Sequence, residues 1–284
     1  MMRKISVVIP CFNGEGTLKR QLDALSAQKP SALVEILVAD NLSTDGTAQV
    51  IEEAMRTDPR VRRVEADHGQ GINYARNAGV RAATGSFILL CDADDEVGRD
   101  WVECYLPAIE GGAALVGGSL VHVDSRGTDF GTTVEPYSHL WDHPWPAGAN
   151  CGFSRAVFDQ VGGFDESFRG GGDETDFFWR AQLLGCRLEF VPEARVRYYQ
   201  RSSSRAVMRQ FMAYGRSEAK LYRKFRSQGM PRSSLVRAPI AAISAIVGLV
   251  ISGGSVSSKT KYAARLGRNI GRIQGSVRER VWYL

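Results

Sequence analysis

The chain opens with a repeating exchange of apolar runs and amphipathic stretches. Lys4 to Pro10 (KISVVIP) is a β-branched apolar run that predicts a buried parallel strand, followed by a turn over Cys11-Phe12-Asn13-Gly14-Glu15-Gly16. Thr17 to Ala27 sets Leu18, Leu22 and Leu25 on one helical face. Leu33 to Ala39 predicts a second strand, Asp40 to Gly46 a loop of turn formers and helix-capping types, and Ala48 to Met55 a second helix. Val61 to Glu65 reads as a third strand, Gly71 to Ala83 as a third helix, and Phe87 to Cys91 as a fourth, buried strand. Strand and helix alternate with loops of ordinary length, so the first hundred residues predict a doubly wound α/β unit.

After Asp100 the pattern changes. Trp101, Val102, Tyr105, Leu106 and Ile109 share a helical face, Ala113 to Val123 reads as a strand, and residues 124–150 are rich in turn formers and aromatics. Cys151 to Phe158 predicts a strand entering a short helix. Three glycines, Gly170 to Gly172, then lead into Asp173-Glu174-Thr175-Asp176 and a helix carrying Phe177, Phe178, Ala181 and Leu184. Leu188 to Val191 and Val196 to Tyr199 are strand-like, and a basic helix is expected over Val207 to Arg226. Residues 238–258 contain no charge, but Pro239, Gly248 and a Gly/Ser-rich end make them a poor spanning segment; a re-entrant, interfacial or buried helix fits better. Finally Tyr262, Leu266, Ile270, Ile273, Val277 and Val281 recur at three- and four-residue intervals among seven Lys and Arg, the pattern of a helix lying on an anionic membrane. The expected organisation is one domain over 1–205, in halves over 1–98 and 99–205, and a basic helical extension over 206–284.

Charge sharpens this division. The formal net charge is only +5, but residues 195–284 hold 19 Lys and Arg against Glu218 and Glu279, a net of +17, whereas residues 1–194 hold 17 basic against 29 acidic residues, a net of −12. An acidic body with a basic tail points to an anionic partner, and the apolar run beside the basic helix favours membrane over nucleic acid. The six-residue apolar run before Cys11 is too short for a signal-peptide core. Five widely spaced cysteines without a CxxC read as buried thiols of a reducing cytoplasm. The expected location is therefore cytoplasmic, peripheral on the cytoplasmic face of the cell membrane.

The candidate chemistry is acidic. Asp92, Asp94 and Asp95, followed by Glu96, crowd the mouth of the fourth strand and repel one another unless a cation sits among them. Oxygen-only ligands suit Mg2+ or Mn2+, and such an ion suits a diphosphate; an acidic surface turn is the plain alternative. In a doubly wound sheet ligands bind at the carboxyl ends of the strands, where Pro10 to Glu15, Asp40, Asp67-His68 and Asp92 to Asp95 all fall. Asp40 suits a ribose hydroxyl or a base N–H, or else serves as a loop cap. No GxGxxG follows the first strand and no GxxxxGK[ST] is present, which disfavours a nicotinamide dinucleotide site and a P-loop. The second acidic centre, Asp173, Glu174 and Asp176, offers a general base, or simply acids favoured in a helix's first turn. Arg201 and Arg205 suit a diphosphate, and Tyr137, Trp141 and Trp145 form either a wall for a sugar or lipid acceptor or core anchors. His122, His139 and His143 lack zinc-ligand spacing.

In these motifs, over roughly residues 4–200, the chain resembles the family 2 glycosyltransferases, inverting enzymes of the Rossmann-like GT-A fold. The segments that carry the likeness are VVIPCFNGEGTL, VADNLSTDGT, GINYARNAGVRAATG, the DxD Asp92-Ala93-Asp94, and GANCGFSRAVFDQVGGFDE. The resemblance implies donor-nucleotide contacts from Pro10, Asn13, Glu15, Asp40, Asp67, Arg76, Asp92 and Arg201, with Asp40 on the base. It implies a Mn2+ or Mg2+ ion on Asp94 and Asp92, and acceptor contacts from Trp145, Asn150 and Asp176. The family's catalytic Glu-Asp pair falls at Asp173-Glu174 in reversed order, which makes Glu174 by position the base, with Asp173 beside it. Many relatives carry a histidine after the last strand; Tyr198-Tyr199 stand there in this chain. The implied reaction moves a sugar from a nucleotide diphosphate, a UDP-sugar first and dTDP- or GDP-sugars next, to a hydroxyl of a glycan or lipid-linked acceptor in cell-envelope or polysaccharide biosynthesis. The sugar nucleotide is a cosubstrate, and no nucleic acid takes part. A nucleotidyltransferase, which would need a basic phosphate loop that CFNGEG lacks, and a catalytically silent sugar-nucleotide or lipid-binding protein are the rival readings.

Overall fold

A computed structural model describes residues 3–124, 127–200, 203–233 and 256–283. The chain divides into two compact units, the first comprising Met1–Ser138, His143–Glu166 and Asp173–Gln200, the second His139–Asp142, Ser167–Gly172 and Arg201–Leu284.

The first unit is built on one mixed sheet. Strands β1 (Ile5–Cys11), β2 (Leu33–Asp40), β3 (Val61–Glu65) and β4 (Phe87–Leu90) alternate with helices α1 (Leu18–Ser26), α2 (Thr47–Thr57) and α3 (Ile72–Ala82), as the apolar periodicity predicts. These four strands run parallel in the order β3-β2-β1-β4. β1 and β4 are buried along their whole length, which is why they read as unbroken apolar runs, whereas β3, at the sheet edge, alternates toward polar residues.

Beyond Asp100 the sheet becomes mixed. Helix α4 (Trp101–Glu110) leads to β6 (Leu115–Val123), and β8 (Cys151–Ser154) inserts antiparallel between β4 and β6 before helix α5 (Arg155–Val161). Helix α6 (Asp173–Leu183) follows, and β9 (Leu188–Tyr199) runs parallel to β6. The two strand-like runs expected at 188–191 and 196–199 are thus one strand, whose register against β6 shifts between Gly118 and Ser119 and leaves Pro192 to Ala194 bulged. Two strands escape the sequence pattern. β5 (Glu96–Val97) is two residues long, and β7 (Asp129–Thr133) is an exposed edge strand without an apolar face.

The second unit rests on α7 (Ser204–Phe225), a single 3-10 turn at Arg226–Gln228, and α8 (Val256–Glu279). The charge-free run over 238–258 lies, up to residue 255, outside the described residues, as does Arg201. The side of α8 that meets α7 is not the large apolar stripe but a row of small residues. A Cβ on Gly271 would come within 2.1 Å of the Met212 carbonyl oxygen, and Gly267 and Gly275 stand similarly against Met208 and Arg216. Backbones this close admit only glycine, so Ile273 and Val277 are left 54% and 76% exposed. Glu218 of α7 is buried and paired with Arg268 (3.2 Å) and Arg272 (2.6 Å) of α8.

Asn150, expected among the acceptor contacts, is instead a fully buried tie of the first unit. Its Oδ1 accepts from Trp101 Nε1 (2.8 Å) and Tyr105 OH (2.7 Å), and its Nδ2 donates to the carbonyls of Ser119 and Ala194 (both 2.8 Å). One amide therefore pins α4 to the sheet at the β6–β9 register shift, with no atom left for a substrate. Asn150→Ala strands these partners without water, at about 1–3 kcal/mol for each buried group left unsatisfied. The expected outcome is a loss of about 3 kcal/mol or more in urea unfolding, with any change in acceptor KM following from that loss.

Candidate active site

Parallel strands in the order β3-β2-β1-β4 deliver their C-terminal loops to one edge, with the chain reversing its winding between β1 and β4. Three of these loops are stitched together by polar side chains. Thr44 N–H donates to Asn13 Oδ1 (2.8 Å), Asn13 N–H to Ser43 Oγ (2.9 Å), and Gly46 N–H to Glu15 Oε2 (3.1 Å). Asn41 donates to the carbonyls of Ala66 (2.5 Å) and Gly69 (2.7 Å), and accepts from Gly71 N–H (2.7 Å). Asn13 and Leu42 take left-handed backbone angles (φ 53° and 62°), and Phe12 and Leu42 expose half their surface. Asn13 and Glu15 thus shape the loops. Asp40 is buried at the end of β2, where its carboxylate accepts from Ser43 N–H (3.2 Å) and pairs with Arg63 (2.7 Å). Pro10 lies within β1, and Asp67 is exposed on the neighbouring loop.

The acidic turn after β4 brings oxygens of Asp92, Asp94 and Asp95 within 4.8 Å of one another. Asp94 is exposed, Asp92 half-buried and Asp95 buried. Burial first, then the charges of Asp92 and Asp94, push Asp95 up to about 9; burial first, with Arg76 opposing and Asp94 adding, pushes Asp92 up to about 6. Asp92 Oδ1 and Asp95 Oδ2 are buried with no hydrogen-bond partner among the described residues. Orphaned carboxylate oxygens in a hard, oxygen-only donor set fit a divalent cation such as Mn2+ or Mg2+. All three aspartates belong to the acidic cluster that the sequence marks; the family resemblance implied only Asp94 and Asp92 as ligands, and the geometry adds Asp95.

The main chain of this turn, and of the segment that leads from it into α4, is held by two glutamines that no sequence motif singles out. Gln21 donates to the Asp92 carbonyl (3.0 Å) and accepts from Val97 N–H (2.9 Å). Gln28 donates to the carbonyls of Gly98 and Arg99 (both 2.9 Å) and accepts from Val102 N–H (3.1 Å). Their signal was present: both fall at positions continuing the leucine face of α1, where an amide is out of place unless it binds backbone.

Arg76 links this turn to the second acidic centre. It lies on α3, 2% exposed, with Nη1 paired to Asp173 at the start of α6 and Nη2 3.7 Å from Asp92 Oδ1. A Cβ on Gly148 would stand 2.6 Å from Nη2, so a glycine there lets the loop close over the guanidinium. Beside Asp173, the Glu174 carboxyl is pushed up to about 8, by burial first and the Asp173 charge second, with Arg76 opposing. Three of the expected site residues therefore meet: Asp92, Arg76 and Asp173, with Glu174 adjacent.

Two other expected acceptor contacts are turned inward. Asp176 is fully buried and paired with Arg180 (2.8 Å), which also donates to the carbonyls of Val161 (2.5 Å) and Gly163 (2.8 Å). Trp145 is 5% exposed, edge-on to Trp179 (5.6 Å) and bridged through its backbone to Tyr137. Both hold the architecture. A buried polar side chain and a surface one look alike in sequence. The buried thiols of Cys11, Cys91 and Cys151 are shifted upward, Cys11 to about 12, so none is a nucleophile at neutral pH.

Residues 6–164 match Glycosyl transferase family 2, and residues 87–264 match Glycosyl transferase family group 2. Among curated relatives, glycosyltransferase AglE of Haloferax volcanii is 28% identical over 66% of this chain, and succinoglycan biosynthesis protein ExoO of Rhizobium meliloti is 28% identical over 70%. The chain spans 64% and 62% of the length of these two relatives. Among solved structures, a mannosyltransferase of Pyrobaculum calidifontis in complex with GDP-Man and Mn2+ superposes with a TM-score of 0.70 at 18% identity, covering 98% of this chain and 87% of that one. Residues 1–349 of Staphylococcus aureus TarS, in complex with UDP-GlcNAc, superpose with a TM-score of 0.59 at 16% identity, covering 99% and 93%. The mixed α/β sheet is thus of the GT-A type, and the extent of the sequence match establishes that the chain belongs to glycosyl transferase family 2.

Proposed function

We propose that the protein is an inverting, metal-dependent glycosyltransferase that moves a sugar from a nucleoside diphosphate to a hydroxyl of a glycan or lipid-linked acceptor in envelope or polysaccharide synthesis. The observation that carries this reading is the Asp92–Arg76–Asp173 bridge, which sets a cluster of cation-binding oxygens beside a carboxyl poised near neutrality. The nucleotide lies against the loops of Pro10, Asn13, Glu15, Asp40 and Asp67, with a UDP-sugar first among donors and GDP- and dTDP-sugars next. Arg201, outside the described residues, remains a proposed diphosphate contact. Asp94, Asp92 and Asp95 would hold Mn2+ or Mg2+, which when bound neutralises charge on a leaving diphosphate.

Glu174 accepts the proton of the acceptor hydroxyl. That oxygen attacks the anomeric carbon from the face opposite the diphosphate, the bond from carbon to phosphate oxygen breaks, and configuration inverts. Asp173, held by Arg76, is committed to its ion pair, which leaves Glu174 as the base. We further propose that the protein contacts the cytoplasmic face of the membrane through α8. Exposed Ile273 and Val277, with Trp282 beyond the helix, are accompanied by exposed Lys261, Arg265, Arg278 and Arg280. No helix among the described residues is long and apolar enough to cross a membrane.

Donor binding, turnover, pH dependence and membrane contact each test this reading. Across a panel of sugar nucleotides, one donor is expected to bind only with Mn2+, and Asp94→Ala to abolish that binding. Glu174→Gln should keep binding while kcat falls about 10²- to 10⁴-fold; binding of no sugar nucleotide, with or without metal, overturns the assignment. The pH profile has a fixed sign. A base must be deprotonated, so wild-type kcat/KM should rise as pH climbs toward about 8. A carboxyl raised in the folded state stabilises fully below its unfolded value of 4.5, and that contribution is lost as pH rises from there through about 8. Glu174→Gln should therefore outlast wild type in thermal melts at pH 9, and equal melting there would contradict the upward shift. Lastly, the full chain should sediment with phosphatidylglycerol vesicles but not phosphatidylcholine vesicles at low salt, and Ile273→Glu with Val277→Glu should remain in the supernatant.

A further inference from the structure

The acidic turn has a second hold besides the glutamines. Arg20 of α1, half-buried, lays its guanidinium 3.7 Å from the ring centroid of Tyr199 at the end of β9. Its Nη2 donates to the Asp94 carbonyl at 2.5 Å, while its Nε is buried without a partner among the described residues. Tyr199 meets the same turn: its N–H donates to Asp95 Oδ1 (3.0 Å) and its hydroxyl to Glu96 Oε2 (3.1 Å), next to the β5–β9 pairing of Glu96 with Arg197. A cation stacked on one aromatic ring thus reaches the main chain of one aspartate, and that ring's own residue binds the carboxylate of the next. Neither group is itself an oxygen ligand.

We propose that Arg20 and Tyr199 are the positioning pair of the divalent-cation site. Their stack fixes the Asp94 backbone and the Asp95 carboxyl, so that the three carboxylates converge before a cation arrives, against their mutual repulsion. A planar guanidinium is required. A lysine ammonium can approach the ring but cannot lie flat on it and donate sideways to the carbonyl. The proposal rests on the cation-binding part of the functional reading, and on neither donor nor acceptor identity.

Binding of Mn2+ alone to the full chain, followed by the paramagnetic resonance of the free ion, tests this without turnover. Arg20→Lys and Tyr199→Leu both leave the charge of the site unchanged, and each is expected to weaken Mn2+ binding about tenfold. Tyr199→Phe keeps the stack and is expected to stay within about twofold of wild type. Circular dichroism establishes folding; if Tyr199→Leu does not fold, Arg20→Lys against Tyr199→Phe decides. Wild-type affinity in folded Arg20→Lys overturns the positioning role and leaves the cation site standing. A loss in Tyr199→Phe as large as in Arg20→Lys overturns the stack in favour of the hydroxyl bond to Glu96. A wild type that takes up no Mn2+, with or without UDP, overturns the proposal together with the metal reading.

Discussion

A buried guanidinium cannot be left without counter-charge, and Arg76 is the point where that constraint organises this protein. Withdrawn from water on α3, it is stable as a cation only because Asp173 and Asp92 face it from segments far apart in sequence. Those acids are in turn crowded by others and would drive their loops apart without it. The arginine thereby ties the two acidic centres together. Asp173 is drawn into an ion pair, whereas Glu174, half-buried beside that negative charge, holds its proton well above the usual carboxylate range.

The sheet supplies the frame for this arrangement. Four parallel strands bring their C-terminal loops to one edge, and the reversal of winding between β1 and β4 opens the crevice there. The antiparallel insertion of β8, directly after Asn150, carries the chain on toward α5 and α6, and the first turn of α6 presents Asp173 and Glu174 at a helix N-terminus, where negative charge is favoured. Much of the polar chemistry serves to hold loops: Asn13, Glu15 and Asn41 stitch the loops after β1, β2 and β3, Gln21 holds the acidic turn by its backbone, and Gln28 holds the segment between β5 and α4.

In the second unit, the surplus of positive charge is partly consumed inside. Arg268 and Arg272 close on the buried Glu218, and Arg223 pairs with Glu279. The glycine row of α8 takes the contact with α7, which leaves Ile273 and Val277 exposed together with Lys261, Arg265, Arg278 and Arg280.

The sequence by itself determined the main elements, their order and the family, though not the short β5 or the edge strand β7. Apolar periodicity reports local geometry, and the acidic and turn-forming residues at strand ends are read without knowing what lies across the sheet. It also marked Asp92, Asp94, Asp173 and Glu174, because carboxylates crowded beside apolar runs are costly unless used. Only the tertiary structure decided which polar groups are spent internally. Asn150, Asp176 and Trp145 are indistinguishable in sequence from surface contacts, yet each is buried among partners. Likewise Arg76 stands in sequence as a helical arginine with an implied donor contact, and its pairing with Asp173, 97 residues away, is visible only in the fold. Ionisation, burial and pairing are properties of neighbours in space, and those neighbours are chosen when strands and helices close on one another.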